Sequence, residues 1–156
     1  MSLQMVICSV TESNPMTTYS MMHVLLASPT DPLPEFKRTY QLTKMFEALR
    51  NLEQSPEPGP LDWEYVNDAV MLMEALRDMG EVEDPDGLLD DAMEALGEAG
   101  GRVLNGKKMR LTGPGIQALR GVLEDYAEVL ELLPARTMIA AHRKAESRVM
   151  KVVRKK

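Results

Sequence analysis

The chain has 156 residues, of which 44% are hydrophobic, 27% charged and 4% aromatic, and its formal net charge is −6. That length fits one domain, which buries roughly 68–70% of the surface its unfolded chain exposes, so disorder throughout is excluded. A single cysteine, Cys8, excludes a disulfide scaffold and a cysteine zinc site, and two histidines, His23 and His142, exclude a His-rich metal centre.

The first basic residue is Lys37. A secretory signal wants a basic region ahead of its apolar stretch, so the apolar run 19–27 does not read as one. A cytoplasmic location is expected. Met1, Met16, Met21 and Met22 are all candidate starts. No apolar run reaches the roughly 20 residues of a membrane-spanning helix, and no membrane contact is expected. Residues 1–34, with Pro29, Pro32 and Pro34, read as a partly irregular segment ahead of one helical domain over 35–156.

Proline and glycine then punctuate a series of helical patterns. Over 35–53, Phe36, Tyr40, Met45, Phe46, Leu49 and Leu52 fall near one face. Over 61–79 two stripes overlap, Trp63, Val66, Val70 and Met73 beside Tyr65, Ala69, Leu72, Leu76 and Met79. So wide an apolar arc predicts a helix contacted from more than one side. Gly80 stands at its C-cap and Asp86 at the N-cap of the next helix, 86–99. Gly100-Gly101 reads as a break. Asn105-Gly106 lies between Arg102-Val103-Leu104 and Lys108-Met109-Arg110-Leu111, which permits a minor β-hairpin over 102–111.

Thr112 and Pro114 open the next helix. Ile116, Leu119, Leu123, Tyr126, Leu130 and Leu133 are spaced 3, 4, 3, 4, 3 along it. After Pro134 a second seam, Met138, His142, Ala145, Val149 and Val152, follows on a basic helix over 135–156. The two seams predict an antiparallel helical hairpin at the C-terminus, with one long helix kinked at Pro134 as the alternative.

Charge is divided along the chain. Residues 62–98 sum to −12 and residues 102–156 to +8, while residues 1–61 contribute −2. The two parts can face each other, solvate the surface or meet partners of opposite sign. Lys144, Arg148, Lys151 and Lys155 share one helical face, with Arg143 and Arg154 opposite the apolar seam. Such a stripe suits phosphates or an acidic partner, although no aromatic residues are interleaved to stack on bases. Asp86, Asp90, Glu94 and Glu98 form an acidic row of spacing four.

Signals for chemistry are few. His142 and Glu146, four apart, lack a visible third metal ligand. Asp84-Pro85-Asp86-Gly87 has Val82 and Met93 where a calcium loop needs carboxylates. Gly113-Pro114-Gly115 is not a phosphate loop, and nucleophile-elbow, zincin and dinucleotide motifs are missing. No cofactor or metal is implied. Thirteen methionines against two phenylalanines read first as core filling and second as an adaptable docking groove, with Met71, Met73, Met79 and Met93 as its material.

The run Leu111-Thr-Gly-Pro-Gly-Ile-Gln-Ala-Leu-Arg, with Leu133-Pro-Ala-Arg-Thr-Met-Ile-Ala-Ala-His-Arg-Lys-Ala-Glu, resembles small uncharacterised helical accessory proteins of bacterial prophages and other mobile elements. Pro134, Arg136, Thr137, His142, Arg143 and Glu146 carry the resemblance. It implies a bacterial, cytoplasmic accessory protein and supplies no catalytic residue.

The expected architecture is all-α, with four to five helices and a C-terminal antiparallel hairpin. The leading expected function is a non-enzymatic interaction, adaptor or regulatory protein with a protein partner, self-associating as a homodimer. The alternative is a nucleic-acid-binding accessory protein that uses the basic C-terminal helix. An enzyme with a site assembled from scattered carboxylates ranks third. Candidate contact residues are Lys144, Arg148, Lys151, Lys155, Arg143 and Arg136, with His142 as a further candidate.

Overall fold

The computed structural model describes residues 19–154. Cys8, Met1, Met16 and Lys155 lie outside the described residues, and side chains are described as far as Arg148. Six helices and no strand form among the described residues: α1 (Met21–Leu26), α2 (Glu35–Gln54), α3 (Pro60–Asp78), α4 (Leu88–Leu104), α5 (Gly113–Leu132) and α6 (Ala135–Arg154). The all-α reading holds, with six helices in place of four or five. The short helix α1 accounts for the excess. It starts at a capping box in which the His23 amide donates to Ser20 Oγ and the Ser20 amide donates to His23 Nδ1.

The expected β-hairpin over 102–111 does not form. Helix α4 runs straight through Gly100-Gly101 and stops at Asn105-Gly106. There the Lys107 amide donates to the Arg102 carbonyl at 2.8 Å and the Gly106 amide to the Val103 carbonyl at 3.0 Å. This is a Schellman cap, and it needs one left-handed residue, Gly106 at φ +72°. Asn105 stays at φ −92°, so the two positive φ angles of a tight hairpin turn are not met. Gly80, at φ +77°, ends α3 in the same way. A Cβ at Gly106 would meet nothing within 4 Å, so strain alone sets its cost. Gly106→Ala is expected to destabilise by about 1 kcal/mol, seen as a lower urea midpoint at unchanged slope.

The N-cap expected at Asp86 is also displaced. Gly87 holds the cap position, and the Asp84 carboxylate accepts the Leu89 amide at 3.1 Å. Thr112 caps α5 as its sequence predicts, with its Oγ1 accepting the Gly115 amide at 3.1 Å.

Helix α3 is the axis of the molecule and packs against α2, α4, α5 and α6. Its buried residues, Val66, Ala69, Val70, Leu72, Met73, Ala75 and Leu76, come from both predicted stripes. Helix α5 buries Leu119, Leu123, Tyr126 and Leu130 against α2, α3 and α4. The C-terminal antiparallel hairpin is not what forms, because α6 leaves α5 and packs on α3 and α1. The Pro-rich turn at 27–34 explains the departure. The Asp31 carbonyl accepts the Ala135 amide at 2.8 Å and the Ser28 carbonyl accepts the Arg136 amide at 3.0 Å. The open N-terminal amides of α6 are thereby satisfied away from α5.

On α2 the buried residues are Met45, Ala48, Leu49 and Leu52, whereas Phe36 is 71% exposed and Tyr40 and Phe46 are also exposed. Phe36 precedes Met45 by nine residues, and at roughly 100° per residue that puts it on the opposite side of the helix.

Candidate functional site

Two places on α3 stand out. The first is a groove of about 370 Å³ between α3 and α4. Trp63, Asn67, Val70 and Met71 line it from α3, and Met93, Leu96, Gly97, Gly100, Gly101 and Leu104 from α4. The indole of Trp63 donates from Nε1 to the Leu96 carbonyl at 2.9 Å. The ring lies beside Gly100, where a Cβ would stand in ordinary van der Waals contact with it, 3.4 Å from Trp63 Cζ2. Asn67 Nδ2 donates to Met71 Sδ at 3.3 Å and holds the thioether at the groove wall.

Gly97 and Gly101 are different. A Cβ at either would meet nothing within 4 Å. Each glycine costs a helix interior about 0.5–1 kcal/mol relative to alanine, and no packing among the described residues requires it. Their effect is to keep the groove open. At the mouth Leu104 is 56% exposed. Glu94 and Glu98, which follow the lining residues Met93 and Gly97 in sequence, are exposed and have no ion-pair partner among the described residues. Arg102, the sole cation of α4, donates instead to the Lys108 carbonyl. The groove therefore offers a soft, largely apolar floor, which suits side chains presented by a docking helix.

The second place lies where α3, α5 and α6 meet Tyr19. Asp68 is pushed up to about 7 by burial, reinforced by the carboxylates of Glu64 and Glu146. Burial also raises Glu64 and Glu146 themselves. Tyr126, raised by burial and by Asp68, donates its hydroxyl to Gln41 Oε1 at 3.3 Å. His142 is 8% exposed, its ring tilts against Tyr19 with 5.4 Å between centroids, and its Nε2 has no hydrogen-bond partner among the described residues. Burial depresses it to about 4, so it is neutral at physiological pH. No group of three or more His, Cys, Asp or Glu is placed to hold a metal ion among the described residues.

The predicted basic residues are dispersed. Arg136 donates to the Val24 and Leu25 carbonyls at the end of α1. Arg143 donates to Met21 Sδ. Arg148 bridges Glu74 at 3.5 Å and Asp78, both on α3. Lys144 lies near enough to Asp78 to help hold that carboxylate below its usual range, after Arg148. Lys151 has a described backbone on α6 only, and Lys155 lies outside the described residues. The acidic and basic parts of the chain thus face each other in part, across α3 and α6.

The sequence signals for these places were partial. Met71 and Met93 do line the groove, but Met73 is core. Gly100-Gly101 reads as a break because a helix can tolerate glycine only at a cost. Asp68 was the missed residue. Its signal is an acid set inside the wide apolar arc of 61–79. Comparison with protein-family models, with curated proteins and with solved structures finds no match to this chain.

Proposed function

We propose that the chain is a non-enzymatic adaptor or regulatory protein that binds another protein through the α3–α4 groove, serving a bacterial mobile element as the sequence resemblance suggests. The carrying observation is the open, Met-lined groove whose Gly97 and Gly101 no packing among the described residues explains. Two further features support it. Trp63 is anchored at the groove wall, as interface anchors often are. The methionines can adapt to a partner's side chains. The competing nucleic-acid reading is weakened by Arg148, which is engaged with α3 carboxylates.

Gly97→Leu with Gly101→Leu fills the groove in open space, so the fold is expected to keep its thermal midpoint within a few degrees. Cross-linked capture from nuclease-treated bacterial lysate is then compared between wild type and this variant. A protein retained by wild type and lost by at least about tenfold in the variant supports the proposal, since tenfold is about 1.4 kcal/mol of contact. Capture that vanishes with nuclease, or that the variant leaves unchanged, overturns it.

A further inference from the structure

We infer that two copies of the chain associate through α4, laid antiparallel across a two-fold axis that crosses the helix between Gly100 and Gly101. This goes beyond the groove reading, with which it shares the rim residues Gly97, Gly101 and Leu104.

The shape of the α4 surface is the first argument. By helical register Gly97, Gly101 and Leu104 form one stripe, and Leu104 is 56% exposed. A Cβ at Gly97 or Gly101 would meet nothing within 4 Å, so the helix presents backbone there and no side chain. Helix axes can then approach to about 8 Å, the near end of the range that contact side chains allow. With the axis between Gly100 and Gly101, Leu104 lies as far to one side as Gly97 lies to the other. An antiparallel second copy therefore sets its Leu104 over Gly97 and receives Leu104 over its own Gly97. The protruding leucine fills the space that the glycine leaves.

Charge is the second argument, and it selects the occupant. By helical register Glu94 and Glu98 flank the stripe on its solvent side, and both are exposed. Arg102 continues their row at the same spacing of four. Its Nε donates to the Lys108 carbonyl at 3.0 Å, which folds the loop after α4 back beside that row. Lys107 and Arg110 on this loop are exposed. The neighbouring charges Asp90 and Lys108 are taken by Arg77 and Glu57. Glu94, Glu98, Arg102, Lys107 and Arg110 have no ion-pair partner among the described residues. The sign of the surface thus reverses across the axis, acidic before it and basic after. Such a surface is its own complement when turned end over end, which is the condition a two-fold interface sets. A uniformly basic or acidic partner would match one half and be repelled by the other. One helix face and a short loop bury less than the roughly 800 Å² per partner of a standard interface, so the dimer is expected to be weak, with a dissociation constant of about tens of micromolar.

The test uses full-length protein and charge reversal away from the stripe. One variant carries Glu94→Lys and Glu98→Lys, and the other carries Lys107→Glu and Arg110→Glu. The substituted side chains are all exposed, so both variants are expected to keep the wild-type circular dichroism. Sedimentation equilibrium at low salt, over a concentration series reaching hundreds of micromolar, is expected to show a wild-type dimer that added salt weakens. Each variant alone is expected to dimerise at least about tenfold more weakly, because like charges then face each other. An equimolar mixture is expected to restore the dimer, since the reversed acids of one copy meet the reversed cations of the other and the unreversed groups meet as before. A wild-type monomer at every concentration overturns the inference, as does a dimer that both variants leave unchanged or a mixture that fails to restore it. The groove reading fails separately, because the reversed residues do not line the groove. A wild-type monomer whose captured protein is lost on groove filling removes the dimer alone, and the expected dimer with no protein captured removes the groove reading alone.

Discussion

Asp68→Asn is expected to stabilise the fold by about 2 kcal/mol at pH 8 and to uncover an acid-sensitive limb that wild type lacks. The folded-state value of Asp68 is about 7 against a reference of 3.8, so the folded protein holds a proton that the unfolded chain releases. Stability from this group is full below 3.8 and is lost as pH rises to about 7. His142 runs the other way, with about 4 when folded and 6.5 as reference. Its contribution is full above 6.5 and is lost as pH falls to about 4. Each slope is about 1.4 kcal/mol per pH unit, and between 4 and 6.5 the two oppose each other. Wild type is therefore expected to be nearly flat across that window and to weaken slightly from 6.5 to 7. The ceiling for Asp68 is about 4 kcal/mol, and partial contact with solvent lowers the expected gain to about half. Asp68→Asn leaves His142 unopposed, so stability rises with pH from 4 to 6.5 and is level above. His142→Leu leaves Asp68 unopposed and removes the unpartnered Nε2, so stability falls from 4 to 7. The facing groups, Glu64, Glu146, Tyr126 and Tyr19, are the same in both variants. Urea midpoints measured at intervals between pH 4 and 8 decide it. Two variants with parallel profiles, or no gain for Asp68→Asn at pH 8, would show that the two groups do not offset one another.

The parts of the fold legible in sequence are those set by local chemistry. Gly80 and Thr112 fall at helix ends where their conformational or hydrogen-bonding needs place them. The two stripes of α3 show a helix touched on several sides, and it is the axis. Errors arise where tertiary contacts decide between local options. Asn105-Gly106 serves a hairpin turn or a helix cap equally well by composition, and the continuation of α4 through Gly100 selects the cap. Pro134 forces a corner but does not direct the next helix; the carbonyls of Ser28 and Asp31, more than a hundred residues upstream in sequence, do that. The groove is hidden for a related reason. Gly100-Gly101 looks like a break, yet α4 continues through it, and its surroundings, with the Trp63 ring of α3 beside Gly100, are set by tertiary packing. Methionine counts give the material of an adaptable surface without its location, and Met73 in the core shows the ambiguity.

Leu76→Ala is expected to cost 2–5 kcal/mol, about the range for emptying a fully buried leucine site. Leu76 is 0% exposed on α3, the helix against which α2, α4, α5 and α6 all pack. Its neighbours cannot close the void independently, because a shift toward α2 withdraws α3 from α4. The loss is a large share of the roughly 5–15 kcal/mol that holds an ordinary domain together. Leu132→Ala is the matched control. That leucine is 76% exposed, and its truncation is expected to stay within about 0.5 kcal/mol. The site of the damage also predicts its form. Trp63 stands on the α4 side of α3, whereas far-ultraviolet circular dichroism reports every helix. If α3 unites the molecule, both probes follow one urea transition in Leu76→Ala, shifted to a lower midpoint with unchanged slope. Separate transitions would mean that the α3–α4 pair and the α6 side unfold independently, and the groove would then belong to a smaller cooperative unit than the whole chain.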